Sequence, residues 1–272
     1  MKDYFFVPGN RLHKLATIEA LGVYIIIDLE DAVKASDRVA IIDELCNNPL
    51  KYKKHYLRIP LYDVRLQANT QALQKLIDAG YSNFVFPKLQ SNSDFEFIIK
   101  TIGNIDLKLI LLVETARFFL ELQQILLTNR GLIKGLALGS HDFMSEIGGN
   151  HTLKNLEYPR IQLLYLARMI NIEAIDIASM ELKDENLLQE EIIDGFQKGY
   201  DAKFYIHPWQ LESKRKMKLY TETDLEWAKK VITALEKVED KEEFNPIIID
   251  NQIIERPHLN KAKKIINHYG TK

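Results

Sequence analysis

The run Leu107-Lys108-Leu109-Ile110-Leu111-Leu112-Val113-Glu114-Thr115 limits the fold of this chain more than any other stretch. It is well short of the about 18 apolar residues that span a membrane. It is also too continuously apolar for a surface helix. It predicts a strand buried on both faces, the kind found in parallel sheets covered by helices. The run stops at a carboxylate, and α/β barrels place their chemistry at the C-terminal ends of their strands. Glu114 has a second reading, as an acid facing the dipole of a helix that begins at Ala116.

Similar runs recur along the chain. Strands are predicted at Phe5–Val7, Val23–Leu29, Tyr56–Ile59, Asn83–Phe86, Leu107–Thr115, Gly135–Gly139, Ala174–Ala178 and Ala202–Ile206. Between them lie helical patterns. Leu12–Leu21 is followed by a helix capped by Ser36, with Val39, Ile42 and Leu45 on one face. Gln67–Ala79 stops at Gly80, and Ser93 and Asp94 open the next helix. Ala116–Leu127, Pro159–Ile170 and Glu185–Lys198 complete the series, with Ser140–Asn155 read as loop. Strand–helix alternation predicts a parallel sheet, and eight repeats favour a closed (β/α)8 TIM barrel over an open sheet. Neither GxGxxG nor GxxxxGK[ST] supports a nucleotide fold. The barrel is expected over 1–220. An extension over 221–272 would carry a helix from Asp224 to Val238, a hairpin around Asp250-Asn251 and a helix from Leu259 to Tyr269. It is expected to pack on the barrel or a neighbouring subunit, within a single domain overall.

Composition narrows the function. A chain of 272 residues with 46% hydrophobic and 27% charged residues can fill a barrel core and is not disordered. The net charge of −2 gives no reason to expect a nucleic-acid or membrane partner. Cys46 is the one cysteine, so no intramolecular disulfide forms. Met1-Lys2-Asp3-Tyr4 enters a strand without a signal-peptide pattern, and the expectation is a cytoplasmic protein.

In a barrel, the residues just after the strands share one rim: Asn10, Arg11, Glu30, Asp31, Arg58, Lys88, Glu114, Asp142, Asp176, Ser179 and His207. Glu114 and Asp142 follow adjacent strands, and two such carboxylates suit Mg²⁺, which takes oxygen ligands and keeps several waters. No His/Cys pattern has zinc spacing. Arg58 offers a planar fork for a carboxylate. A divalent ion beside an arginine suits a 2-oxo acid. Structural alternatives stand beside each assignment. Arg58 would pair with Glu30 or Asp31, Asp142 would cap a turn at Phe143-Met144, and His207 before Pro208 would be structural. Lys88 would be a solvated rim lysine or a Schiff-base lysine.

Seven ordered motifs then carry a resemblance. They are Phe6-Val7-Pro8-Gly9-Asn10-Arg11, Ile27-Asp28-Leu29-Glu30-Asp31-Ala32-Val33, Leu57-Arg58-Ile59, Phe86-Pro87-Lys88, Val113-Glu114-Thr115-Ala116-Arg117, Gly139-Ser140-His141-Asp142-Phe143 and Ile206-His207-Pro208. The chain resembles the citrate lyase β-subunit-like branch of the HpcH/HpaI aldolase superfamily, from Phe5 to about Gln210 and again, weakly, over 250–266. The resemblance implies a barrel, often a homotrimer, that makes or breaks a C–C bond beside a Mg²⁺-bound 2-oxo acid. The partner is a CoA or acyl-carrier thioester. It implies Glu114 and Asp142 as metal ligands, and Arg58, Glu114 and Arg11 as substrate-binding residues. It places Pro8, Gly9, Asn10, His13 and Lys14 along the CoA arm. Four motifs depart from the family pattern: Pro60 replaces an Asn, Leu89-Gln90 a Val-Glu, His141 an acid, and Glu255 the Asp of a C-terminal Met-Ile-Asp. Glu255 or a metal-bound water would act as the base, with Arg58 in the catalytic set.

The leading expectation is thus a Mg²⁺-dependent lyase for a 3-hydroxy-3-carboxyacyl thioester of the citramalyl-CoA or citryl type. It would release pyruvate, oxaloacetate or glyoxylate. An aldolase on free 2-oxo acids, and a non-catalytic barrel within a larger complex, are the two rivals.

Overall fold

The computed structural model describes residues 1–62, 68–103, 106–129, 131–236 and 246–270. Two compact units divide the chain, Met1–Arg215 and Lys216–Lys272.

In the first unit eight parallel strands close into a barrel in sequence order. They are β1 (Lys2–Pro8), β2 (Tyr24–Asp28), β3 (Tyr56–Arg58), β4 (Asn83–Phe86), β5 (Lys108–Val113), β6 (Ile133–Leu138), β7 (Glu173–Asp176) and β8 (Ala202–Tyr205). The barrel closes through β1 against β8, with Tyr4 opposite Phe204. The expected TIM-barrel class is therefore found. The helices are α1 (Leu15–Glu19), α2 (Ala35–Asn47), α3 (Pro49–Tyr52), α4 (Thr70–Asp78), α5 (Asn92–Ile102), α6 (Ala116–Thr128), α7 (Ser140–Glu146), α8 (Leu153–Met169), α9 (Glu185–Lys198) and α10 (Pro208–Lys216).

Strand alternation decides which residues face the axis. Tyr4, Ile26, Val85, Ile110, Ala137, Ile175 and Ala202 pack as one interior cluster, a filled core rather than a pore. Their neighbours Phe5, Ile25, Phe84 and Leu109 are buried as well. Both faces being covered explains why these strands read as unbroken apolar runs.

Local departures from the sequence reading have simple causes. Leu12–Leu21 is not one helix: a 3-10 turn over Gly9–Lys14 precedes α1, with a kink at Arg11. The α2 helix starts at Ala35, so Ser36 lies inside it and bonds Asp37 rather than capping. Its buried face is Ile41, Ile42 and Leu45, and Val39 is 68% exposed. The expected α4 start, Gln67, lies outside the described residues. The supposed loop 140–155 contains α7, whose Phe143 and Met144 are buried. It also contains the first turn of α8, where the Thr152 hydroxyl accepts from the Asn155 N–H. Pro159 is therefore inside that helix, not in its first turn.

Asp176, placed on the rim by the sequence, belongs to a different layer. Ile175 faces the barrel interior, so Asp176 points outward to the helices. There it holds Arg160, 0% exposed, through two 3.0 Å bonds, and Asp194 takes a third at 2.6 Å. Removing one partner of a buried pair strands the other charge. Asp176→Ala is expected to cost about 3–5 kcal/mol of unfolding free energy in urea titration, with the rim chemistry intact.

The second unit holds α11 (Glu222–Glu236), a hairpin of β9 (Ile247–Ile249) and β10 (Gln252–Ile254), and α12 (Arg256–Gly270). Val238, the expected end of the first of these helices, lies outside the described residues. The hairpin turns at Asp250 and Asn251, with φ of 47° and 63°, the left-handed pair a type I′ turn requires. Ala228, Val231, Ile254, Ala262 and Ile265 form its core. No helix among the described residues is long and apolar enough to cross a membrane.

Candidate active site

The interior alternation runs on into a cavity of about 340 Å³ at the C-terminal rim. Tyr4 leads to Phe6 and Pro8, Ile26 to Asp28, Tyr56 to Arg58, and Ile110 through Leu112 to Glu114, and the later member of each pair lines the cavity. Asp31, His141 and Asp142 complete its polar wall.

Arg58 is anchored from below. Its Nε and Nη2 donate to the two oxygens of Asp28 at 2.7 and 2.6 Å, and its Nη1 lies 3.0 Å from Glu30. The Glu30 N–H also donates to Asp28, at 2.9 Å. The guanidinium stands 4.9 Å over the Phe6 ring. Of the five N–H groups of a guanidinium, the Nε–H and one Nη2–H are hydrogen-bonded to Asp28, while Nη1 is paired by charge with Glu30, whose Oε2 accepts no hydrogen bond among the described residues. The sequence alternative of pairing with Glu30 or Asp31 is therefore partly right, but the principal partner is Asp28. Sequence reasoning passed over Asp28, although its position two residues after Ile26 marks it as inward-facing.

Lys88 serves the site twice. Its backbone is left-handed, with φ of 53°, which turns its N–H onto Glu114 Oε2 at 2.6 Å. Its ammonium lies 2.8 Å from both Glu30 and Asp31. Partial burial opposes that charge, but the two carboxylates outweigh it and hold Lys88 protonated well above its ordinary range. A permanently charged amine is a poor Schiff-base nucleophile, so that alternative loses support.

Glu114 is 2% exposed. It does not cap α6. That role belongs to the hydroxyl of Thr115, while Glu146 accepts from the Ala116 N–H at 2.6 Å. Gly139 is what makes room for it. A methyl group there would fall 2.2 Å from Glu114 Cγ. Gly139 was quoted in a motif but not assigned a role, because sequence alone does not reveal this close approach. Asp142 sits in the first turn of α7, capping nothing. Burial, then the charges of Glu30 and Asp142, push the Glu114 carboxyl up to about 8, against the Lys88 N–H and Arg58.

That shift makes a stability prediction. The group starts from 4.5 and is raised to about 8 in the fold. Its contribution is therefore full below 4.5 and declines as pH rises towards 8, by up to roughly 1.4 kcal/mol per pH unit. Thermal melts of the chelator-treated protein should fall across that window. Added Mg²⁺ should reverse the fall, because the ion binds the ionised form.

Among the described residues no three His, Cys, Asp or Glu side chains gather as a ready metal cluster. Mg²⁺ does not need one, since it takes one or two carboxylates and fills its shell with water and substrate. Glu114 and Asp142, both on the cavity, with the charge of Asp142 among the causes that raise Glu114, fit that demand.

Of the other expected residues, Pro8 reaches the cavity and Arg11 does not line it. Asn10, Arg11, His13 and Lys14 are exposed on the 3-10 turn and make no ion pair among the described residues. Gly9 seats that turn, since a methyl group there would meet Leu29 at 2.8 Å. His207 has a structural role, its Nδ1 accepting from the Trp209 N–H at 3.3 Å. The Ser179 hydroxyl likewise accepts from Glu181, at 3.1 Å. Glu255 belongs to the second unit. Its N–H donates to His258 Nδ1 at 3.1 Å, and its carboxylate makes no bond among the described residues.

Comparison with known proteins gives this geometry its context. The sequence model of the HpcH/HpaI aldolase/citrate lyase family matches residues 2–208. The chain belongs to the HpcH/HpaI aldolase/citrate lyase family. That is a family of carbon–carbon lyases. Its fold is similar to that of the protein CitE from Mycobacterium tuberculosis in complex with magnesium, acetoacetate and coenzyme A. The two share 25% identity and a TM-score of 0.82, over 99% of this chain and 98% of that one. It is also similar to the citrate lyase beta subunit of M. tuberculosis complexed with oxaloacetate and magnesium, at 25% identity and a TM-score of 0.67, over 79% and 95%. A (3S)-malyl-CoA thioesterase of Cereibacter sphaeroides is 24% identical over 97% of this chain and 93% of the relative.

Proposed function

We propose that this member of the HpcH/HpaI family is a Mg²⁺-dependent lyase for a 3-hydroxy-3-carboxyacyl thioester, giving a 2-oxo acid and an acetyl thioester. The observation that carries the reading is Glu114: a buried carboxylate held beside Asp142, in a cavity whose arginine is already committed to other acids. Such a pair favours a divalent cation, and relatives bind magnesium together with oxo acids or coenzyme A. Glu114 and Asp142 would hold Mg²⁺, which when bound supplies Lewis-acid polarisation of the substrate's carboxylate and carbinol oxygens.

The protein's own groups do the rest. Arg58 turns its remaining donors to the substrate carboxylate or carbonyl. Asp28 and Glu30 keep the planar guanidinium aimed. Glu255 takes the proton of the tertiary hydroxyl. As that O–H bond breaks, the carbinol becomes the 2-oxo group. The adjacent C–C bond gives its pair to the thioester enolate, and the enolate carbon then takes a proton. The exposed His13 and Lys14 on the turn after β1 suit the phosphates of a CoA arm. The expected trimer belongs to the same reading.

Calorimetric titration tests it. Pyruvate or oxaloacetate should bind only with Mg²⁺ present, and Asp142→Ala should abolish that dependence. Acetyl-CoA should bind afterwards, weakened by His13→Ala with Lys14→Ala. Oxo acid binding without any CoA species would favour the free-acid aldolase. Absence of metal and oxo acid binding would refute the site.

A further inference from the structure

By residue type the lining of the cavity divides into a polar and a hydrocarbon half. One carries Asp28, Asp31, Glu114 and Asp142. Among the described residues Arg58 is the one Lys or Arg that lines it, gripped by Asp28 and Glu30. Lys88, the neighbouring cation, is engaged with Glu30 and Asp31 and does not line the cavity. The other half is hydrocarbon, made by Phe6, Leu112, Leu138, Ala178, Met180 and Ile206.

A 2-oxo acid has one carboxylate and one oxo oxygen to offer the polar half. The substituent on its oxo carbon then meets either hydrocarbon or carboxylates. An alkyl group gains by leaving water against hydrocarbon. A second carboxylate would be stripped of water on one side and repelled on the other. Among the described residues no uncommitted Lys or Arg lines the cavity to pair with it. His141 lines the cavity with its Nε2 buried and unpartnered among the described residues. One hydrogen bond from an imidazole orients a ligand oxygen without replacing the ion pair that a second carboxylate demands.

We infer that the oxo acid half of the substrate is a monocarboxylate with a short alkyl chain, the class of pyruvate and 2-oxobutyrate, and not a dicarboxylate such as oxaloacetate. This rests on the lyase reading above and narrows it. The thioester would carry that alkyl group on its tertiary carbinol carbon. Cleavage passes the C–C pair to the thioester enolate and leaves the alkyl group on the released oxo acid.

Titration of the full chain at saturating Mg²⁺ with glyoxylate, pyruvate, 2-oxobutyrate and oxaloacetate tests this. Each added carbon from glyoxylate to 2-oxobutyrate should tighten binding about fourfold, the equivalent of roughly 0.8 kcal/mol per buried methylene. Oxaloacetate should bind at least tenfold more weakly than pyruvate. Met180 is 54% exposed, a position that tolerates charge. Met180→Arg places a cation beside the hydrocarbon half and should bring oxaloacetate to within about threefold of pyruvate, in line with a new ion pair of roughly a kcal/mol. Oxaloacetate binding the unaltered protein as tightly as pyruvate overturns the inference and leaves the lyase reading in place. If none of the four oxo acids binds with Mg²⁺, the lyase reading fails and this inference fails with it.

Discussion

Glu114→Gln is expected to lower kcat/KM by about 10³-fold or more while stabilising the metal-free protein at pH 8. The two effects have one origin. The carboxylate is buried beside the charges of Glu30 and Asp142, which raises its pKa to about 8. Ionising it without a counter-ion therefore opposes folding, and an amide of the same shape removes that cost. The amide oxygen still accepts the Lys88 N–H that holds Glu114 at 2.6 Å. What the amide lacks is the negative charge that a divalent ion needs. Steady-state kinetics with melting curves, with and without chelator, would show both effects. Unchanged kcat/KM would remove Glu114 from the site. An unchanged slope of melting temperature against pH would remove it as the source of the pH effect.

Gly139→Ala is expected to abolish Mg²⁺-dependent ligand binding, with a loss of more than 100-fold, while the barrel still folds. The backbone of Gly139 (φ −79°, ψ 75°) needs no left-handed conformation, so the cost is steric. The added methyl would sit 2.2 Å from Glu114 Cγ and 2.4 Å from its Oε1. Glu114 cannot swing freely, being buried and tied to Lys88. Either the carboxylate leaves its position or β6 shifts. Overpacking of this kind typically costs about 1–3 kcal/mol, less than the unfolding free energy of a typical domain. Gly131→Ala is the control, because a methyl there meets nothing within 4 Å. Calorimetry and circular dichroism on both variants separate lost binding from lost fold. Wild-type affinity in Gly139→Ala would mean that Glu114 is not held where a metal needs it.

The barrel was legible because burial on both faces leaves a clear trace. Runs such as Leu109–Val113 stay apolar at every position, and only a helix-covered parallel sheet asks for that. The carboxylate that ends this run, Glu114, was equally legible. Other site features follow a rule that needs the interior parity first. Asp28 and Asp176 are both acids at strand ends. One faces the cavity and the other faces Arg160, and only knowing that Ile26 and Ile175 point inward tells them apart. The helix at 140 and the opening turns of the helix at 153 were read as loop because their first residues, Ser-His-Asp and Leu-Lys-Asn, are mixed in polarity, and neither opens a clean apolar stripe. The role of Gly139 lies in a contact between residues of neighbouring strand ends, which no local pattern encodes.

Lys88 gives the site an unusual line of inheritance. Its main chain aims Glu114, and its ammonium balances Glu30 and Asp31. The two duties make separate demands. The first asks only for a residue that tolerates φ of 53°, which Gly, Asn and Asp do. The second asks for a cation. Over many generations, descendants of this chain are free to give up the cation and alter the electrical character of the rim while the aim of Glu114 persists. Geometry carried by the backbone drifts more slowly than charge carried by side chains. Relatives of this chain should therefore diverge in the acids and bases around the cavity mouth well before they diverge in where the carboxylate of Glu114 stands.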